Sequence, residues 1–376
     1  MMGFTFKTTP QIRFERNGAA NIGALVKSRM SRPLFVTDKD ILKFGLAETA
    51  FTSLKEAGVE FEVFDGVVAD PPEAVINEAV EFAKAHNTDG VIGLGGGSSL
   101  DTAKLIAVLL KGKQSLHDIF GVDQVEGDRL PLILLPTTAG TGSEVTAISI
   151  VTTEDDRKVG IVSDQLYADV AIVDPVLTMT APRKVTAATG IDAMVHAIEA
   201  HTSVRLRNPL SSTLAKQALQ LMSANLIKAC DTPDDIEARE AMCIGATLAG
   251  QAFANAPVGA VHAMAYPLGA LFHVPHGVSN ALMLSPVLKF NCEKAAEQYA
   301  ELGPYVGVKA DADAFVEKMI DLCKQSGVPL KLRDVGVNHN DLPRMAEDVI
   351  ANTRLMQNNP REMSYEQALS LYQEVL

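Results

Sequence analysis

From about residue 30 to residue 140 the chain alternates short β-branched runs with longer stretches in which apolar residues recur three and four apart. That alternation indicates βαβ units around a parallel sheet. Strands are predicted at Leu34–Thr37, Glu60–Phe64, Gly90–Leu94 and Leu132–Pro136, and Pro72–His86 reads as a helix with one buried stripe. Between about 145 and 174 the spacing shortens, and SIVTTEDDRKVGIVS reads as a hairpin turning through its charged TEDDRK run. After Pro182 the strand signals stop. The remainder of the chain is Ala-rich and helical in period, broken by Pro209, Pro233, Pro257, Pro267 and Pro275. The expected fold is an α/β N-terminal domain with a parallel sheet over residues 1–182 and an all-α C-terminal domain over residues 183–376. A further strand at Phe4–Thr8, ahead of the first βα unit, could pair across a two-fold axis to make a homodimer.

Composition narrows the function. The 376 residues are 47% hydrophobic and 21% charged, with 5% aromatics and no Trp, which suits an α/β protein rich in small aliphatics. A formal net charge of -13 repels phosphate backbones and anionic bilayers, so no nucleic-acid or membrane partner is expected and small-molecule chemistry is the default. The N-terminal segment has no apolar core of a signal peptide, and the most apolar runs, Leu105–Leu110 and Leu130–Pro136, fall far short of the roughly 20 residues that span a bilayer. Cys230, Cys243, Cys292 and Cys323 are scattered without metal-ligand spacing, as reduced thiols in a cytoplasm are.

Two loops carry phosphate-binding chemistry. Gly93-Leu94-Gly95-Gly96-Gly97-Ser98-Ser99-Leu100-Asp101 follows an apolar strand and opens a helix, so bare backbone and free amides can approach a pyrophosphate. It departs from the usual GxGxxG, because Ser98 stands where the last glycine would be. The run Pro136–Ser143 again follows a strand and offers hydroxyls and glycines, and both loops would face one crevice at the carboxyl ends of parallel strands. Asp38, just after the first predicted strand, could accept from ribose hydroxyls or equally cap a helix.

The histidines are uneven: five of eight (His196, His201, His262, His273, His276) fall in one stretch of the helical part. Asp192 and His196 lie four apart on an apolar helix and so project from one face, as two ligands of one metal must. His262 sits in a helical stretch and His276 at a proline-glycine turn that could aim its imidazole at that pair. One carboxylate and three neutral imidazoles would make a four-ligand site with room for a substrate oxygen.

The runs GGGSSLDTAK at 95–104, LPTTAGTGSEVT at 135–146, GIDAMVHAIEA at 190–200 and HAMAYPLGALFHVPHG at 262–277 together resemble the iron-containing (group III) alcohol dehydrogenase family. The resemblance runs in order through essentially the whole chain. It implies a Rossmann-like dinucleotide-binding domain, a helical domain holding one divalent metal, and hydride transfer between an alcohol and NAD(P). Carried over by position, the metal ligands are Asp192, His196, His262 and His276, and the pyrophosphate loop is Gly95, Gly96, Gly97 and Ser98, with Asp101 in the same motif. Further cofactor contacts fall on Thr137, Thr138, Thr141, Ser149, Lys158 and Leu177, and Asp38 matches the position that touches the adenosine ribose. Two positions depart from the family pattern. Tyr266 stands where many relatives carry a third histidine, which makes His273 the expected proton relay, and Asp70, the expected ribose contact in the early cleft segment, stands where an Asn is common.

The expected reaction is metal- and NAD-dependent interconversion of a small, neutral alcohol or diol and its aldehyde, in the cleft between domains, with Fe²⁺ as the metal and Zn²⁺ or another divalent ion able to replace it. A carboxylate at Asp38 would repel a 2′-phosphate, so NAD is expected over NADP. Three rivals remain: a dehydroquinate-synthase-like lyase, a maleylacetate-reductase-type oxidoreductase, and a non-enzymatic metal or nucleotide sensor. The first two need basic residues for anionic substrates. Between 185 and 280 the non-His basic residues are Arg205, Arg207, Lys216, Lys228 and Arg239, none within the ligand motifs.

Overall fold

The computed structural model describes residues 3–155 and 157–376, and the chain divides into two compact units. One comprises Thr8–Thr138 and Gly142–Ala181; the other comprises Pro182–Leu376, the chain up to Lys7 and the short segment Ala139–Thr141.

The first unit is built on nine strands: β1 (Gln11–Phe14), β2 (Pro33–Val36), β3 (Glu62–Phe64), β4 (Gly90–Gly95), β5 (Gly121–Val122), β6 (Leu132–Pro136), β7 (Ile148–Thr152), β8 (Lys158–Val162) and β9 (Val170–Val173). Six form a parallel sheet in the order β1-β9-β6-β4-β2-β3. Its helices are α1 (Ile22–Lys27), α2 (Lys39–Lys43), α3 (Glu48–Glu56), α4 (Glu73–Ala85) and α5 (Gly97–Lys111). The central strands are continuous apolar runs because both faces are covered. Leu34, Val36, Val91, Leu132 and Leu134 pack with α4 and α5, while the alternate residues Phe35, Ile92, Leu94, Ile133 and Leu135 pack with α1 and α3. The hairpin of β7 and β8 joins β5 in a second, three-stranded sheet. Thr153 N–H closes the hairpin on the Arg157 carbonyl at 2.8 Å, and Asp156 of the expected turn lies outside the described residues.

Among the described residues Phe4–Thr8 pairs with no strand of its own chain, and the strand nearest the N-terminus is β1, which pairs in parallel with β9. Asn255 accepts from the Lys7 N–H and donates to the Lys7 carbonyl, both at 2.7 Å, which ties this segment to α8 (Ile236–Asn255).

The second unit contains α6 (Arg183–Thr202), α7 (Pro209–Asp231), α8 (Ile236–Asn255), α9 (Ala260–Phe272), α10 (His276–Leu302), α11 (Ala312–Ser326), α12 (Leu342–Ala351), α13 (Thr353–Met356) and α14 (Tyr365–Val375). Every residue of α6 from Gly190 to Thr202 is buried. A helix buried on all sides belongs inside a bundle, and α7, α8 and α10 pack around this one. Gly277, in the first turn of α10, allows the closest approach: a Cβ there would lie 2.3 Å from the Ala188 carbonyl oxygen of α6. No described helix is long and apolar enough to cross a membrane.

Candidate active site

In the sheet unit the chain runs from β2 outward to β3 and then back to β4 on the other side of β2. Ligands of open α/β sheets bind at such a switch point, beyond the carboxyl ends of the strands. The carboxyl ends of β2, β4 and β6 carry Asp38, the Gly95–Ser98 loop and Thr137–Thr138 respectively. Gly95 has φ +153°, and a Cβ on it would meet Ser99 Oγ at 2.6 Å, so only glycine turns the chain here. Gly96 is the N-cap of α5 and no side chain caps that helix, which leaves the first-turn amides available to an anion.

The remaining predicted cofactor residues have different commitments. Asp38 caps α2, its Oδ1 accepting from Asp40 and Ile41 N–H at 3.0 Å, while its Oδ2 accepts from Ser99 Oγ at 3.3 Å. Asp70, at φ +50°, pairs with the buried Lys158 at 2.6 Å and donates its N–H to Ser98 Oγ. Asp101 is engaged by Ser143 Oγ at 2.6 Å, Ile150 N–H at 3.0 Å and Lys104 Nζ at 3.3 Å. It therefore ties the second loop and β7 to α5. Ser149 Oγ donates to the Asp101 carbonyl, and Leu177 packs in the apolar core beside Val170 and Ile172. Thr141 belongs to the helical unit rather than to the sheet unit.

In the helical unit, α6, α9 and α10 bring Asp192, His196, His262 and His276 together, each offering one donor atom within 4.8 Å of the others. Asp192 Oδ1 lies 3.8 Å from Nε2 of His262 and 3.7 Å from Nε2 of His276. The His196 ring stacks on Phe253 at 4.2 Å and on His262 at 4.7 Å between centroids. Burial pushes the His196 imidazolium down to about 3, so at neutral pH this imidazole is uncharged, as a metal ligand must be. Three of the four residues are almost fully buried, whereas the His276 side chain is 30% exposed and marks the open side of the group. His273 is not part of the cluster; it is an exposed left-handed residue ending α9. Tyr266 stands 6.1 Å from the His276 ring.

One residue of the site escaped the sequence reading. Glu199 is buried on α6, accepts from His262 Nδ1 at 2.6 Å and from the Val261 N–H at 2.7 Å, and so leaves the His262 Nε2 lone pair facing the cluster. A carboxylate holding the far nitrogen of a ligating histidine fixes its tautomer and raises its basicity. The spacing carried the signal: Asp192, His196 and Glu199 stand at i, i+4 and i+7, one stripe of a helix.

Comparison with known proteins decides the family. The model for iron-containing alcohol dehydrogenases matches residues 9–175, and the C-terminal model of the same family matches residues 186–376. The chain belongs to the iron-containing alcohol dehydrogenase family. It is 42% identical over 337 residues to the long-chain-alcohol dehydrogenase 1 of Geobacillus thermodenitrificans, covering 87% of this chain and 85% of that protein. A crystal structure of 1,3-propanediol oxidoreductase superposes with TM-score 0.96 at 32% identity over 100% of both chains. The sulfoacetaldehyde reductase of Bifidobacterium kashiwanohense, solved with NAD⁺, superposes with TM-score 0.89 at 29% identity over 100% of this chain and 99% of that one.

As an iron-containing alcohol dehydrogenase the protein is an oxidoreductase that interconverts alcohols and aldehydes. Iron and a nicotinamide dinucleotide are the family's cofactors. The four side chains fit a divalent ion on chemical grounds. They supply one carboxylate and three imidazoles, with an uncharged imidazole at His196.

Proposed function

We propose that this dehydrogenase acts on a small, uncharged alcohol or diol and its aldehyde, with Fe²⁺ at Asp192, His196, His262 and His276 and with NAD in preference to NADP. The convergence of those four donors within 4.8 Å, one face open at His276, is the observation that carries the reading. A divalent ion there supplies the Lewis acidity that eases loss of the alcohol proton and polarises the aldehyde carbonyl. The protein's own groups do the rest. Glu199 keeps His262 in its donor tautomer, and Phe253 stacks on His196 and keeps water from one side of the ring. The amides of Gly96–Ser98 take the pyrophosphate, and Thr137, Thr138, Thr141, Ser149, Lys158 and Asp70 are the proposed contacts on the ribose and nicotinamide side.

An uncharged substrate is favoured over those of the lyase and maleylacetate readings because four of the five non-His basic residues between 185 and 280 are engaged elsewhere. Arg207 and Lys216 both pair with Glu301, Lys228 pairs with Asp235, and Arg239 bonds to Thr186 Oγ1 and the Pro233 carbonyl. A panel of alcohols, diols and aldehydes with NAD and NADP, after anaerobic loading with Fe²⁺ or Zn²⁺, tests the proposal. Turnover confined to anionic substrates, or none at all, defeats it.

Asp38 carries the cofactor preference. One carboxylate oxygen is held by the α2 cap, and the other accepts only from Ser99 Oγ at 3.3 Å, which leaves it capacity for a ribose hydroxyl and makes a 2′-phosphate unwelcome. Glycine is tolerated at an N-cap at a cost of a few tenths of a kcal/mol. Asp38→Gly should therefore stay folded and raise the NADP/NAD ratio of kcat/KM by about tenfold or more, the equivalent of about 1.4 kcal/mol. An unchanged ratio removes Asp38 from ribose recognition.

His273 is the proposed hand-off for the alcohol proton, exposed to solvent at the end of α9 and three residues before His276. His273→Ala should shift the pH–rate profile of kcat, and an identical profile rules the relay out. The three buried free thiols, Cys230, Cys243 and Cys323, fit a reducing cytoplasm, and we take the working form to be a homo-oligomer.

A further inference from the structure

Asn280 is fully buried on α10, one turn beyond His276 and on the same helix face. Its Nδ2 donates to Asp192 Oδ1 and lies 3.2 Å from Nε2 of both His262 and His276. Its Oδ1 is buried with no hydrogen-bond partner. An asparagine that merely braces a core pairs both ends of its amide, because an unpaired buried carbonyl costs about 1–3 kcal/mol. Here the polar groups that meet the side chain are three proposed metal ligands from three helices.

We propose that Asn280 is a positioning residue of the metal site, whose amide hydrogens hold Asp192, His262 and His276 together while no ion is bound and settle on Asp192 alone once one is. The inference rests on the metal-site reading proposed for these ligands. His262 Nδ1 is engaged by Glu199, so its Nε2 presents a lone pair to Asn280. Two amide hydrogens therefore face up to three acceptors, a carboxylate oxygen and two imidazole nitrogens, and cannot satisfy all of them at once. A cation that takes the imidazole lone pairs removes that competition, and the amide is left with one partner that it can bond well. The donors hold the ligands near their final places before loading, so little rearrangement opposes metal entry.

The test uses Co²⁺ as the probe, with binding read by chelator competition and by Tm of the full chain with and without the ion. Asn280→Leu, which keeps the volume and removes the donors, should lower the Tm of the metal-free protein and weaken Co²⁺ binding about 10–100-fold. Asn280→Asp is isosteric and sets a carboxylate against Asp192. It should lower the metal-free Tm further while binding Co²⁺ at least as tightly as the parent, so that its rise in Tm on loading exceeds the parent's. Opposite signs in the metal-free and loaded forms are what a residue facing the ligands produces and a space-filling residue does not. Equal Tm losses in both forms with unchanged Co²⁺ affinity overturn the proposal. Asn280→Ala replaces the leucine variant if that one fails to fold. A parent protein that binds no Co²⁺ overturns the metal-site reading itself, a result separable from any difference among the variants.

Discussion

Asp192→Ala should lose its metal and with it turnover, lowering kcat/KM by at least about 10³-fold, the equivalent of about 4 kcal/mol of transition-state stabilisation. Asp192 is the only carboxylate of the four-donor group, and its Oδ1 lies within 4 Å of two of the three imidazoles. Its removal takes away the negative charge that offsets a divalent ion and leaves three neutral nitrogens. It also leaves the Asn280 amide without its charged acceptor. The variant should still fold, because α6 keeps its buried apolar residues Ile191, Met194, Val195 and Ile198. Metal content and steady-state kinetics check this together: stoichiometric metal with activity within tenfold of the parent would show that the chemistry lies elsewhere.

Gly277→Ala should strongly destabilise the helical unit. A Cβ at this position meets the Ala188 carbonyl oxygen at 2.3 Å and its carbon at 2.6 Å, and both are backbone atoms that cannot rotate away. The first turn of α10 would have to lift off α6. Overpacking of this kind costs about 3 kcal/mol, a Tm loss on the order of 10 °C for a unit this size. The added consequence is chemical, because the residue before Gly277 is His276 and Ala188 lies one turn before Asp192 on α6. Separating the helices separates two ligands. Metal affinity should therefore fall along with stability, whereas a surface variant of equal stability loss would leave it unchanged. Thermal melts with and without the ion distinguish the two.

The sheet unit was readable wherever a strand is a continuous apolar run. The predicted strands at residues 34–37, 90–94 and 132–136 match β2, β4 and β6 closely, because strands buried on both faces carry a long hydrophobic signal. β1 was missed for the opposite reason: Gln11–Phe14 is a four-residue edge strand alternating half-buried and exposed positions, and little in it separates a strand from a loop. The segment before it is held by Asn255 from α8, which bonds the backbone of Lys7, a partner that only the folded chain brings close.

The site follows the same division. Asp192 and His196 declare themselves by helical spacing, and the glycine loop by its composition. Glu199 lies on the same stripe as the ligands, yet its role depends on His262, which is 63 residues away in the chain. Asn280 carries no sign at all in the sequence, since an asparagine inside an amphipathic run reads as an ordinary polar position. Asp38 was legible as two alternatives, and the structure realises the helix cap with one oxygen while leaving the other toward the glycine loop.

The pairing of β1 with β9 has a kinetic side. Gln11 registers with Val170, so the first strand of the parallel sheet is held by the last, and that edge closes only across a long stretch of chain. Such non-local pairing makes loop closure entropically costly and folding slow. The α-helical unit, by contrast, is assembled largely from helices adjacent in the chain. On a ribosome the sheet unit would wait for residue 173 to emerge before sealing its edge, and until then the backbone of β9's neighbour β6 would present an unpaired strand edge, the point at which a crowded cell would most easily misassemble this chain.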